Sequence, residues 1–274
     1  MSFSNLLGII SRPSNRNNRR NAKNAPKTRT LRLESLETRE LLAVHTVTTL
    51  LDVVSTTDGV TSLREAISAA AAGDTINFRA DLIGGTINLD PARGTLTIPK
   101  QLTIDAWNLH TAEQSMSVKD HKGITINGSN LNYAATGGTP MVEITTSSTT
   151  PTILRGLTFT NSAANGSVFN HDRDGVAIYA SSANGASLTI QNCVFTGVKY
   201  GSGGVVDFYG HQLRIANSLI ADNTTFRSNN PDYHYGAAIF VGSNSEAYIY
   251  NCTVANNSVE TYPEATASTA RQVL

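Results

Sequence analysis

Four six-residue segments of this chain can be laid over one another. They are Leu154-Arg155-Gly156-Leu157-Thr158-Phe159, Ile190-Gln191-Asn192-Cys193-Val194-Phe195, Ile215-Ala216-Asn217-Ser218-Leu219-Ile220 and Ile249-Tyr250-Asn251-Cys252-Thr253-Val254, at spacings of 36, 25 and 34 residues. A second repeat falls between them: Gly175-Val176-Ala177-Ile178, Gly203-Gly204-Val205-Val206 and Gly236-Ala237-Ala238-Ile239. A unit of this length cannot bury its apolar face alone, so copies must stack into a solenoid. Upstream of the repeats run short alternating segments: Thr75–Phe78, Thr86–Leu89, Leu96–Ile98, Leu102–Ile104, Ile124–Ile126 and Met141–Ile144. Each puts two or three aliphatics on one face and Thr or Asn on the other, the pattern of a half-buried strand. Only 15% of residues are charged, and Gly, Ser, Thr and Asn are abundant, which suits strands and turns better than helices. Residues 74–260 are therefore expected to form an all-β, right-handed parallel β-helix.

The alignment carries a register. Aligned residues of successive rungs should stack about 4.8 Å apart. Leu154, Ile190, Ile215 and Ile249 form one expected interior column, and Phe159, Phe195, Ile220 and Val254 another. Asn192, Asn217 and Asn251 fall in a turn column, where stacked amides can bond along the axis, a structural role. Cys193 and Cys252 share a column with Ser218 between them. Two rungs span roughly 9–10 Å, and a disulfide needs Cα atoms within about 7 Å, so two free and mostly buried thiols are expected.

Ahead of the ladder, Val44–Val54 reads as a strand, and residues 62–72 as a short amphipathic helix. Ser62 and Glu65 have the spacing of a capping box, Leu63, Ala66, Ile67 and Ala70 share one face, and Gly73 is the expected terminator. Residues 44–73 thus form an expected cap on the first rung, with Arg64 and Glu65 as capping and surface residues rather than a catalytic pair. A covered end makes sense, because an open strand edge invites association.

The charge is uneven. Residues 1–42 hold nine Lys/Arg against three Glu, a net +6, and the remainder holds twelve against eighteen Asp/Glu, a net −6. Residues 11–32 are rich in Asn, Arg, Lys and Pro and poor in core-forming residues, the composition of a disordered leader. The acidic body has no electrostatic reason to seek nucleic acid or an anionic membrane surface. No apolar run approaches the roughly 18–20 residues of a membrane span, so no transmembrane helix is expected.

Several of these segments resemble known families. Leu36-Glu37-Thr38-Arg39-Glu40-Leu41-Leu42-Ala43 resembles the L-E-P-R-x-L-L segment near the N-terminus of large exported bacterial proteins, with Thr38 in place of Pro. That resemblance implies export of the chain, residues 1–43 being the leader and export segment, with processing near Ala43. Thr61-Ser62-Leu63-Arg64-Glu65-Ala66, continued through Gly73-Asp74-Thr75-Ile76 and Gly84-Gly85-Thr86-Ile87, resembles the C-S-L-R-E-A domain of bacterial surface proteins, with Thr61 in place of Cys. In that family a helix caps a β-helix of the pectate-lyase-like kind. The glycine-led repeat resembles the G-G-A-I motif of polymorphic outer-membrane-protein repeats. The partner motif of that family, F-x-x-N, is matched loosely by Ile220-Ala221-Asp222-Asn223 and Val254-Ala255-Asn256-Asn257, and fails at Phe195-Thr196-Gly197-Val198. Together these imply a secreted, outer-membrane or cell-surface protein with a part in adhesion.

Chemistry is expected where the rungs lengthen. The expected loops are Ser162–Asp174, Val198–Ser202 and Thr224–Tyr235, on one side of the stack, two long ones flanking a short one. They carry His171, Asp172, Arg173, Tyr200, Arg227, Tyr233, His234 and Tyr235 as candidate ligand-binding residues. Aromatic faces with polar groups beside them suit sugar rings, which makes an extracellular polysaccharide or cell-surface component the expected partner. The first reading is a non-enzymatic surface protein. The alternative is a polysaccharide lyase or glycoside hydrolase using Asp172, Asp174, Asp207 and Asp232, since a hydrolase needs two carboxylates at a set separation. A ligand-free spacer is the third. No phosphate loop, nucleophile elbow or zinc-binding spacing is present, and no cofactor or metal is expected. The polar tail 261–274 either folds over the last rung or marks a truncated member of a longer family.

Overall fold

In the computed structural model, residues 42–55, 57–109, 123–131, 139–162, 176–180, 185–200, 204–227 and 238–261 are described. They all lie in the compact unit Leu41–Leu274. The first strand, β1 (Val44–Val47), is followed by the helix α1 (Leu63–Ala69). The rungs follow in order. The first is β2 (Thr75–Phe78), β3 (Thr86–Asn88) and β4 (Leu96–Ile98), and the second β5 (Thr103–Asp105), β6 (Ile124–Asn127) and β7 (Val142–Ile144). The third is β8 (Thr152–Arg155), β9 (Leu157–Thr160) and β10 (Ile178–Ala180). The fourth adds a strand: β11 (Ser187–Gln191), β12 (Val194–Thr196), β13 (Lys199–Tyr200) and β14 (Val206–Phe208). So does the fifth, with β15 (Gln212–Ala216), β16 (Leu219–Ala221), β17 (Thr224–Arg227) and β18 (Ile239–Val241), before β19 (Glu246–Tyr250), β20 (Thr253–Ala255) and β21 (Ser258–Thr261).

Corresponding strands pair in parallel across every rung. They build a seven-stranded sheet from β1 to β19, a six-stranded sheet from β3 to β20, a five-stranded sheet from β4 to β18, and a three-stranded sheet of β13, β17 and β21. This is a parallel β-helix, and its register is the one read from the repeats. Ile104, Leu154, Ile190, Ile215 and Ile249 are successive partners, as are Ile126, Phe159, Phe195, Ile220 and Val254. Through Ile215 and Ile220 these side chains are at most 1% exposed, each burial being worth about 1.5–3 kcal/mol. Phe159 and Phe195 stack with ring centroids 4.9 Å apart, at the strand spacing. On the last strands Ile249 and Val254 are about half exposed.

Corners repeat as strictly as strands. Gly156, Asn192, Asn217 and Asn251 all have φ between 50° and 67°, at the bend from the first strand of a rung to the second. Asn161, Gly197, Asp222 and Asn256 do the same at the next bend. Only glycine and short polar residues accept that conformation readily, which is why the columns hold Gly, Asn and Asp. In the first column the Asn251 amide donates to Asn217 at 2.6 Å, facing solvent. A second asparagine ladder is buried at Asn223 and half-buried at Asn257. Asn223 lies just after the second bend and is fully buried. Its oxygen accepts the Val198 N–H at 3.0 Å, and its amide donates to the Phe195 carbonyl and to Asn257. Asn257 repeats the pattern by donating to Ile220 O. These are the final asparagines of the two loose F-x-x-N matches. Where that motif fails, Val198 occupies the column and is buried instead.

The N-terminal end departs from expectation in extent. The strand stops at Val47, because Thr48 turns its N–H to Thr61 O and Asp52 swings in to meet Arg64. The helix stops at Ala69, with Ala70 extended. Lys100 Nζ takes the carbonyls of Ser68 and Ala70, and Asp74 takes the Ala71 N–H, so the helix end is satisfied before Gly73. The capping box forms: Ser62 Oγ accepts the Glu65 N–H, and Glu65 accepts the Ser62 N–H. Arg64 is more than a surface residue. Its guanidinium grips Asp52 through two 2.8 Å bonds and donates to the carbonyls of Gly94 and Thr95, tying the cap to the first rung.

Two outcomes follow from this register. Asn223→Ala leaves buried polar groups unpaired and should cost about 2–3 kcal/mol in urea unfolding. Asn251→Gly, at an exposed left-handed corner, should change stability by less than about 1 kcal/mol. Cys193 and Cys252 are both free, the first buried and the second half-buried, and burial pushes the Cys193 thiol up to about 12. At pH 8 a thiol reagent should therefore modify Cys252 in the native protein and Cys193 only after unfolding.

Candidate functional site

The three intervals that carry the sequence candidates all precede strands of the five-stranded sheet. Residues 163–175 run into β10, 201–203 into β14 and 228–237 into β18. His171, Asp172, Arg173, Asp174, Asp232, Tyr233, His234 and Tyr235 lie outside the described residues. Tyr200 and Arg227 are placed by their backbone. They belong to β13 and β17, so the expected loops at 198–202 and 224–235 begin as paired strands. Tyr200 partners Thr225, and Arg227 partners Thr261. The left-handed corners at Gly197 and Asp222 come just before β13 and β17.

The outer face of that sheet assembles a group that the repeats did not reveal. In each three-residue strand the outer two side chains point into the core and the middle one points out. Register aligns the middle residues in one column: Thr97, Glu143, Tyr179, Asp207 and Phe240. Asp207 is 1% exposed, though it stands on the outer face, while Glu143, Tyr179 and Phe240 are half-buried. Glu143 and Asp207 are two rungs apart, roughly 9–10 Å along the axis. Tyr209, one residue beyond β14, sets its ring 6.0 Å from Tyr179 and 5.3 Å from Phe240, both tilted. Three rings thus bracket Asp207 along the stack.

Two glycines make this packing possible. A Cβ on Gly242 would lie 2.5 Å from the Tyr209 ring, so the ring rests on bare backbone of the following rung. A Cβ on Gly204 would lie 2.5 Å from the Phe240 nitrogen. The second glycine of the G-G-V-V copy is therefore demanded by close approach of two rungs, not by an unusual φ. Sequence reading took Asp207 as an outward neighbour of the loops but missed Glu143, Tyr179, Tyr209 and Phe240. The signal for Glu143, Tyr179 and Phe240 was register, each being the middle residue of a strand whose flanks are apolar, whereas Tyr209 follows its strand and had no such signal.

Other candidates have structural placements. Asn192, Asn217 and Asn251 hold corners, Cys193 and Cys252 donate to carbonyls two residues back, and Ser62 and Glu65 cap α1. The bond from the Ser55 N–H, with that from Ser62, holds the Glu65 carboxyl below its ordinary value. Of the export segment, Leu36, Glu37, Arg39 and Leu41 lie outside the described residues, and Leu42 is exposed. Among the described residues there is no cluster of three or more metal-ligating side chains, and no helix is long and apolar enough to cross a membrane.

These features define a class, the parallel β-helix with a helix-capped first rung. Comparison with protein-family models, curated proteins and solved structures finds no match. The close approach at Gly204 gives a direct test of the site's architecture. Gly204→Ala should destabilise the chain by about 1–3 kcal/mol in thermal or urea unfolding, because backbone rather than a flexible side chain must give way.

Proposed function

We propose that this chain is an exported or cell-surface β-helix that binds a glycan on the outer face of the five-stranded sheet, without cleaving it. The observation that carries this reading is the trio Tyr179, Tyr209 and Phe240 around Asp207. Partly exposed rings offer apolar contact to sugar faces, and the half-buried Glu143 of the same column and the tyrosine hydroxyls are the polar groups beside them. The rings follow the axis, so a saccharide chain laid along the stack would meet successive rungs at about 4.8 Å intervals. Asp207 serves the platform rather than catalysis, since a carboxylate that is 1% exposed has little access to a glycosidic oxygen. Export rests on the Leu36–Ala43 segment and on its place after a basic, low-complexity leader.

A glycan array probed with the full chain tests this. Binding to a defined subset is expected, weakened at least tenfold by Tyr209→Ala and unaffected by Thr125→Ala on the six-stranded sheet. No new reducing ends should appear. Wild-type binding by Tyr209→Ala would place the site elsewhere, and release of reducing ends in proportion to protein would replace binding by hydrolysis.

A further inference from the structure

The stack is closed at one end and open at the other. At the first rung α1 buries Leu63, Ala66 and Ile67 against the core. At the far end β18, β19, β20 and β21 each stand last in their sheet, with no strand beyond them among the described residues. Gly242 N–H donates to Phe208 O, Glu246 to His211 O, Thr253 to Ser218 O and Ser258 to Asn223 O, all in the preceding turn of the solenoid. Main-chain groups of successive strand residues point to opposite edges. The residues that turn theirs away from the stack are therefore Ile239, Val241, Ala247, Ile249, Val254 and Val259.

Side-chain direction picks out the same six. Ile239 and Val241 follow Val206 and Phe208, Ala247 and Ile249 follow Leu213 and Ile215, Val254 follows Ile220, and Val259 follows Thr225. Those six predecessors are fully buried, yet Ile249, Val254 and Val259 are about half exposed. Glu246 and Glu260 are the only charged residues between 238 and 261, and strand alternation puts both on the outer side. The end of the stack is thus an uncharged aliphatic face that also carries open strand edges. Its cover must supply aliphatic side chains and strand edges together, which a second copy of the same face does.

Size and symmetry fit that occupant. Residues 238–261 make up the open turn, within the range of about 20–30 residues a side that stable interfaces use. β19 has five residues and is flanked by β18 and β20 with three each, and β21, with four, completes the turn. A twofold axis through the middles of β19 and β21 lays each antiparallel on its own copy and lays β20 on the β18 of the second copy. Every open edge then meets one of equal length. In β19 the axis passes at Tyr248, so Ala247 exchanges main-chain bonds with Ile249 of the second copy, and Ile249 with its Ala247.

We propose that this face is a dimer interface, at which two copies of the chain dock end to end about that twofold axis. The same surface serves both copies and α1 covers the opposite end, so assembly stops at two. The dimer does not depend on the glycan reading.

Sedimentation of the full chain over a wide concentration range should show a reversible monomer–dimer equilibrium. Ala247→Pro keeps the bonds to β15, because the donor it removes faces the other way. It should weaken association at least tenfold by deleting one donor from each copy. Val254→Lys should do the same by setting a cation on each face, and it supplies the readout if the proline variant folds poorly. In a Cys252→Ser background, Tyr248→Cys should give a disulfide-linked dimer on mild oxidation, since its two Cα atoms would lie about 4.5–5.5 Å apart. Tyr250→Cys, roughly 13–14 Å from its own copy, should not. A chain that stays monomeric at every concentration, or that grows into open assemblies, would overturn the proposal. Loss of hydrogen-exchange protection in β19 on deleting residues 262–274 from a monomer would name that segment as the cover and overturn it too.

Discussion

Everything in this molecule follows from one constraint: each rung must hydrogen-bond to the rung before it in parallel, residue on residue. A parallel ladder fixes spacing along the axis near 4.8 Å and leaves no freedom to slip by one residue, because a slip would turn every buried side chain outward. Ile104, Leu154, Ile190 and Ile215 therefore occupy one interior line, and a substitution in one rung is felt by two others. The same constraint sets the corners. If strands superpose, bends must superpose too, so left-handed positions recur as Gly156, Asn192, Asn217 and Asn251.

Buried polar groups are the second consequence. A solenoid corner leaves main-chain groups that the ladder cannot use, and these need partners. Asn223 and Asn257 meet that need by bonding both to main chain and to each other. Val198 replaces an asparagine in the same column, and the neighbouring Ser162 Oγ takes the Lys199 N–H from the rung below. The column tolerates exchange provided some neighbour still satisfies the corner.

The outer surfaces are where rungs differ. On the six-stranded sheet the outward positions run Thr86, Asn88, Thr125, Asn127, Thr158 and Thr160, a neutral face. On the five-stranded sheet they run to Glu143, Tyr179, Asp207 and Phe240. The proposed glycan contact lies on the second face, where acids and aromatic rings share one column. Burial of Asp207 under that cluster separates it from an accessible hydrolytic carboxylate. At the other end of the stack, Asp52 and Asp74 show how the cap is fastened: one through a guanidinium, the other through the chain's own entry into β1.

The sequence by itself determined the repeat, its register and the capping helix, since these depend on which residues recur and at what spacing. Ser62 and Glu65 announce a helix start, and the recurring hexamers announce the columns, because both are local chemistry repeated along the chain. What only the tertiary structure decided was distance between residues far apart in sequence. Tyr209 meets Tyr179 and Phe240, Gly242 makes room for a ring from the previous rung, and Arg64 finds Asp52. None of these follows from a motif, because each is set by how unequal connections wind the chain back onto the stack. The helix boundary at Ala69 and the strand end at Val47 moved for the same reason: Lys100, Asp74 and Thr61, brought in by the fold, satisfied groups that local sequence assigned to Gly73 and to a longer strand.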